Sequence, residues 1–298
     1  MGDGLIENWS NTAAGQAWGL QRLNLQACWQ RGFTGAGVRV GHLDTGVDGN
    51  HPALSDRVIG FMEFDKEGCP VQGAQPRESG SHGTHTAGII CGKYVGAAPD
   101  AELCSGMVIE GGKCLVRVQA GLDWMLGCKV RVLCLFLGIP FNNPVFKIKL
   151  NCLKETGVLV IAPIGNRGSG HTCSPADYPG VLAVGAMNPM DRVAHFSGSG
   201  VFRRVSDYIK PNLVAPGTNI LSSAPGGGFR LHSGTSMAAA YVAGIAAILF
   251  QAKPEATAVE VEQAILRTCT PLPESNELRC GRGLINPVKA LDILLSGG

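Results

Sequence analysis

The 298-residue sequence predicts an α/β fold of three layers, with a mostly parallel central sheet flanked by helices. Three observations lead there. Short runs that read as buried strands alternate with helix-length segments, the pattern of strand, crossover helix and strand. Polar residues stand in glycine-flanked turns at the carboxyl ends of two such runs, where open parallel sheets place functional groups. Hydrophobic residues make up 45% of the chain, enough for a substantial core.

Residues Gln16–Gly32 read as a helix, with Trp18, Leu20, Leu23, Ala27 and Cys28 near one face, ending before the glycine-rich 32–37 stretch. Strand Val38–Leu43 follows and ends in Asp44-Thr-Gly-Val-Asp48. The glycines precede this strand instead of following it, which excludes a dinucleotide-binding turn. From Asp65 to Ser81 the composition is loop-like, and His82 then opens a short helix running to Ile90. Strands are expected over Ala101–Ile109 and Lys129–Leu137 around a helix over Leu115–Leu126. The pattern repeats with Asn151–Thr156 and strand Val158–Ala162, which ends in Pro163-Ile-Gly-Asn166-Arg-Gly168. Val181–Ala186 is the next strand, Tyr208–Gly217 leads to a turn, and Pro225–Gly228 reads as a flexible loop. Met237–Phe250 has high helix propensity until Pro254 stops it, so Ser236 falls at a helix N-terminus. Helices over Thr257–Thr268 and Pro287–Leu295 close the chain. No repeat or linker divides it, so 16–298 is expected to form a single domain behind an N-terminal extension over 1–15.

The formal net charge is +2, with 25 basic and 23 acidic residues spread along the chain, which gives no electrostatic basis for binding nucleic acid or an anionic membrane. No run reaches the roughly 18 uninterrupted apolar residues of a spanning helix. The start lacks a basic region followed by an apolar core. None of the eleven cysteines shows C-x-x-C spacing, which argues against a zinc ribbon. Cys134 reads as a buried thiol, while Cys269 and Cys280 flank a turn-rich loop, and a disulfide between them is left open. Together these features lean toward a cytoplasmic, reducing compartment, with a processed, secreted form as the alternative.

The chemistry centres on Gly234-Thr-Ser236-Met-Ala238, which sets one hydroxyl among small residues at a helix start. Unpaired backbone N–H groups and the positive end of the helix dipole there face any developing negative charge. A hydroxyl is a poor nucleophile until a base and a group orienting that base are added. His82 and Asp44 are the candidates, with Asn166 as a third polar side chain in a comparable turn. Singly, each has a structural use: Ser236 as an N-cap, Asp44 as a turn cap, Asn166 as a left-handed turn residue. His82 and His85 are three apart, but they lack an intervening glutamate and a third ligand, so no metal site is expected. The chain order Asp, His, Ser excludes the Ser-Asp-His order of the α/β-hydrolases and the His-Asp-Ser order of the chymotrypsin type.

On these motifs the chain resembles the subtilisin-like serine proteases. The matches are Val40-Gly-His-Leu-Asp44-Thr-Gly-Val, His82-Gly-Thr-His-Thr-Ala-Gly and Gly234-Thr-Ser236-Met-Ala, supported by Gly165-Asn166, Tyr178–Ala186, Ala215-Pro-Gly217 and Gly281–Asn286. The resemblance runs from about Trp18 to Leu294 and implies a subtilisin-like fold and a serine endopeptidase. Ser236 would attack the scissile carbonyl, His82 would shuttle the proton, Asp44 would orient His82, and Asn166 with the Ser236 N–H would hold the oxyanion. The implied partner is a peptide or protein substrate bound as an extended strand, against the edge Leu135, Phe136, Leu137 and Gly138 and a facing segment near Met107–Gly112. Pro163, Ile164 and Gly165 would complete the pocket wall.

Departures from the family pattern bear on specificity. Phe136 stands where a small polar residue is common, Ile139 replaces a common glycine, and Pro163-Ile164 replace a pair of small residues. A narrow pocket and restricted cleavage are expected, as in a processing protease. The same first half-reaction would serve a transpeptidase, and a catalytically silent peptide-binding module is the contrasting alternative, opposed by the intact set of four residues. Ala240-Tyr241 replace a usual Pro-His, but Tyr241 lies five residues from Ser236 and off its helix face. No cofactor is expected. The chain passes from Gly88 to Gly96 without the loop that holds the high-affinity calcium ion in many relatives, and Ala53 stands where an aspartate ligand is common; another calcium site is left open. No pro-domain precedes Trp18, so a pro-peptide either was removed or is dispensable.

Overall fold

The computed structural model describes residues 17–111, 114–140, 142–202, 208–273 and 276–297; the extension expected over 1–15 lies outside them. Its centre is a sheet of β1 (Arg39–Asp44), β2 (Val58–Glu63), β3 (Glu102–Met107), β4 (Val132–Leu135), β5 (Leu159–Pro163), β6 (Leu182–Met187) and β7 (Leu213–Pro216). The strands stand in the order β7-β6-β5-β4-β1-β3-β2. Every neighbouring pair is parallel, so the sheet is wholly and not just mostly parallel. From β1 the chain crosses to the edge at β2, returns to β3 between them, and then builds outward through β4 to β7 on the other side. β1 is therefore the strand at the reversal, and its carboxyl end opens into the crevice where sheets of this kind bind ligands.

Helices cover both faces. On one side lie α3 (His82–Cys91), α6 (Thr235–Ala252), α7 (Ala258–Arg267) and α8 (Pro287–Leu295), and on the other α4 (Leu115–Gly127) and α5 (Lys147–Glu155). Strand side chains alternate between the two cores. Val132, Cys134 and Phe136 point to the α6 side, whereas Leu133, Leu135 and Leu137 point to the α4 side. α6 has the length and apolarity of a membrane span, but Thr235 to Phe250 are all buried, so its composition serves the core. Thr257 and Glu260 form a reciprocal capping box that starts α7 where the sequence places it.

Three expectations change. The single helix over Gln16–Gly32 is broken into α1 (Trp18–Arg22) and α2 (Leu25–Gln30) by Asn24, whose φ of 50° is left-handed and incompatible with a continuing helix; Gln16 itself lies outside the described residues. The stretch around Pro225–Gly228, expected as a flexible loop, is the tip of a hairpin formed by β8 (Ile220–Ala224) and β9 (Gly228–His232), and β2, in a stretch for which the sequence gives no element, is an edge strand. Cys269 and Cys280, for which a disulfide was open, are not joined by one, and each thiol donates to a carbonyl one helical turn back.

Tyr241 is fully buried in α6 and packs against Gly19, and its hydroxyl finds no hydrogen-bond partner among the described residues. A buried, unsatisfied hydroxyl is destabilising. Tyr241→Phe is expected to raise the unfolding free energy by about 1 kcal/mol and the thermal midpoint by about 2 °C, measurable by calorimetry, with activity unchanged.

Candidate active site

Asp44 ends β1 with no exposed surface. Its carboxylate accepts from the Thr45 N–H at 2.6 Å, from Thr86 Oγ1 at 2.8 Å, and from His82 Nδ1 at 2.9 Å to each oxygen. Burial alone would raise its pKa, but the His82 charge and hydrogen bond, the His42 imidazole and the Thr45 amide together hold it below the usual carboxylate value.

His82 is the first residue of α3, and its place relative to Asp44 is set by backbone packed on backbone. A Cβ on Gly83 would lie 2.0 Å from Gly46 O, and a Cβ on Gly46, whose φ is +107°, would lie 2.1 Å from Arg77 O. Only glycine permits this approach. The Gly83 N–H also donates to Thr45 Oγ1 at 2.9 Å, which ties the start of α3 to the turn after Asp44. The His82 side chain keeps 34% of its surface exposed. Burial works against the imidazolium, but the Asp44 charge and hydrogen bond, with Glu78 behind them, outweigh it and raise the pKa. A general base must be neutral to act, so if His82 has that role activity would be lost as pH falls through this pKa. The acid limb of kcat/KM is therefore expected above the ordinary imidazole value of about 6.5, as a pH profile on a fluorogenic peptide will show.

Asn166 follows β5 across Gly165, whose φ is +105°. Its Oδ1 accepts from both the Thr235 N–H and Thr235 Oγ1 at 2.9 Å, which leaves Nδ2 as the group facing outward. Thr235 Oγ1 in turn accepts from the Gly165 N–H at 3.2 Å, so one threonine binds the β5 turn to the start of α6. Ser236 sits one residue further on, 9% exposed. Gly234 caps α6 with no side-chain hydrogen bond, and the Ser236 N–H lies in the first turn, where helix geometry supplies no acceptor. α3 packs alongside α6.

A cleft of about 240 Å³ opens beside Ser236 and Asn166. Of the seven residues expected along it, Phe136, Leu137, Gly138, Pro163 and Gly165 line it. Leu135 and Ile164 do not. Both are fully buried in the core on the α4 side, because strand alternation turns them away from the cleft, so Ile164 does not crowd the pocket. Phe136 borders the cleft and also lies under the imidazoles, its ring centroid 5.1 Å from His42 and 6.3 Å, edge-on, from His82. The strand-addition edge is shorter than expected, because Leu135 pairs with Leu43 within the sheet and the Phe136 N–H bonds Leu43 O at 3.0 Å. On the facing segment, the N–H groups of Val108 and Ile109 are taken by Asp44 O, and Gly112 lies outside the described residues.

Four participants were not foreseen. Thr235 stood inside the quoted Gly-Thr-Ser motif. Thr86 stood four residues after His82, on the same helix face. His42 stood two residues before Asp44, on the same strand face. Cys173, which lines the cleft opposite Gly138 and Gly165, gave no sequence signal, since a two-residue ladder between 139–140 and 173–174 brings it there.

The model of the subtilase family matches residues 35–283. The chain belongs to the subtilase family. Among curated subtilases, Subtilisin Savinase of Lederbergia lenta is 35% identical over 279 residues, 90% of this chain and 96% of that protein. M-protease of Shouchella clausii (strain KSM-K16) is 35% identical over 90% of this chain and 68% of its own length. Subtilisin E of Bacillus subtilis (strain 168) is 32% identical over 280 residues, covering 90% and 69%. The chain is thus a subtilisin-like serine endopeptidase, and its parallel sheet flanked by helices is the fold that its motifs imply.

Proposed function

We propose that this subtilase cleaves peptide bonds through an acyl-enzyme on Ser236. His82 acts as the general base and acid, Asp44 fixes its tautomer, and Asn166 Nδ2 with the Ser236 N–H receives the oxyanion. The observation that carries the reading is the bidentate Asp44–His82 contact at 2.9 Å, made where the start of α3 meets the carboxyl end of β1. With Nδ1–H committed to the carboxylate, Nε2 is left as the basic nitrogen. A fluorophosphonate probe should form one adduct, mapped to Ser236 by mass spectrometry. Folded protein that stays unlabelled would sink the reading.

For specificity, we propose a shallow pocket that favours small or medium side chains. Phe136 and Cys173 both line the cleft, and a Cβ on Gly165 would already lie 2.7 Å from the Cys173 sulfur. A processing role follows if few sequences fit. Cleavage of a proteome-derived peptide library dominated by large aromatic residues at the scissile position would refute it.

The residues at the position of the high-affinity calcium loop do not suit the ion. Ala53 offers a buried methyl instead of an oxygen ligand, and its carbonyl is taken by the Lys93 N–H at 3.0 Å within a tight turn closed from Gly96 N–H to Gly92 O at 2.7 Å. This loop therefore contributes no linkage stability, and a fall in the thermal midpoint on adding a chelator would report a calcium site elsewhere on the chain. For the compartment, the similarity to subtilisins and alkaline proteases favours the processed, secreted alternative over the cytoplasmic one, which now rests on the free thiols alone. Immunodetection in supernatant against cell pellet separates the two.

A further inference from the structure

Behind Asp44 lies a second imidazole that the reaction scheme does not use. His42 precedes Asp44 by two residues on β1 and shares its face of the strand. It has no exposed surface, and neither do Ser105, Thr86 and Asp44 around it. His42 Nδ1 lies 2.9 Å from Ser105 Oγ, and Nε2 lies 2.9 Å from Thr86 Oγ1 and 3.6 Å from Asp44 Oδ2. Thr86 Oγ1 is itself 2.8 Å from Asp44 Oδ2.

One proton assignment satisfies every member. An ionised carboxylate only accepts, so the single proton of Thr86 goes to Asp44. The Thr86 oxygen is then left to accept from His42 Nε2–H, and Nδ1, now an acceptor, receives the Ser105 hydroxyl. All three bonds point the same way, ending on the buried charge, and aligned chains of this kind polarise one another. Thr86 has rival acceptors, since Gly83 O lies 3.1 Å and His82 O 3.2 Å from its hydroxyl. A helical threonine ordinarily turns back to such carbonyls.

We propose that His42 is a positioning residue: as a neutral Nε2–H imidazole it commits the Thr86 hydroxyl to Asp44 and so holds the carboxylate ionised and aligned behind His82. Burial, the dominant influence on His42, drives its pKa down and keeps it neutral. The other charges facing the chain are Asp44, Glu78 and His82, with Cys134 on β4 beside Asp44 and with His85 and His232 beside His82. The proposal rests on the triad reading above, which fluorophosphonate labelling of the unaltered protein tests separately.

Its own test compares His42→Val and His42→Gln with the unaltered enzyme on one fluorogenic peptide across pH. Loss of a buried donor should lower kcat about tenfold in His42→Val with KM within about twofold. The acid limb should move to higher pH, because a carboxylate with fewer donors holds the His82 imidazolium more tightly. His42→Gln, which keeps an N–H near the Nε2 position, should recover most of both. An unchanged kcat and limb in His42→Val would overturn the proposal, and so would a glutamine variant no better than the valine one, which would reduce His42 to packing. Should His42→Val fail to fold, histidine-selective ¹⁵N NMR of the unaltered enzyme decides: an Nε2–H tautomer for His42 supports the chain of donors, and an Nδ1–H tautomer ends it.

Discussion

Ser236→Ala is expected to lower kcat by about six orders of magnitude while KM stays within about twofold. Alanine removes the attacking oxygen and nothing else. The α6 N-terminus, the Thr235 clamp on Asn166 and the cleft lined by Phe136 and Gly138 all remain, so substrate still binds. Residual turnover of about a thousandfold over water should persist through the oxyanion donors. Initial rates at enzyme concentrations high enough to see that remnant, with fluorophosphonate labelling abolished, check the result. A variant that retains a few per cent of activity would mean that another side chain is the nucleophile.

Asp44→Asn should cost about four orders of magnitude in kcat at neutral pH. The amide keeps the shape of the carboxylate but brings an N–H₂ to a buried position where every neighbour donates: the Thr45 N–H, Thr86 Oγ1 and His82 Nδ1. To satisfy the amide, His82 must present Nδ1 as an acceptor, which moves its proton to Nε2 and disables it as a base toward Ser236. The substitution also removes the charge that raises the His82 pKa, so whatever activity remains should show its acid limb at lower pH than the parent. Part of the loss should return at high pH, where hydroxide can act in place of the disabled base. Stopped assays over pH 5 to 10 (roughly, spanning the imidazole range) compare the two limbs directly. Loss of activity without any displacement of the limb would assign Asp44 to packing alone.

Much of this arrangement is readable in the residues. Glycine-flanked turns after apolar runs mark Asp44 and Asn166, and the long helix former after Ser236 marks its dipole. The order of the three motifs supplies the family. What escapes are features that depend on partners distant in sequence. Whether Leu135 or Phe136 faces the cleft is a question of strand parity, and an uninterrupted apolar run carries no record of it until both faces are built. Asn24 looks like a tolerable helix residue, and only its left-handed backbone in the fold splits the first helix in two. Cys173 reaches the cleft through a two-residue ladder that no local pattern announces. His42, by contrast, could have been noticed, because a polar residue inside an otherwise apolar buried strand requires partners.

The alternation that runs from β4 through Leu137 also separates two engineering tasks. Trimming Leu135 would hollow the α4 side of the sheet, at a cost of about 2–5 kcal/mol, and would not widen the path to Ser236 by any amount. Its neighbour Phe136 looks the other way, onto both imidazoles and the cleft beside Ser236. Redesign of substrate preference and reinforcement of the scaffold can therefore proceed on adjacent residues without interfering, one on each side of the same ribbon of backbone.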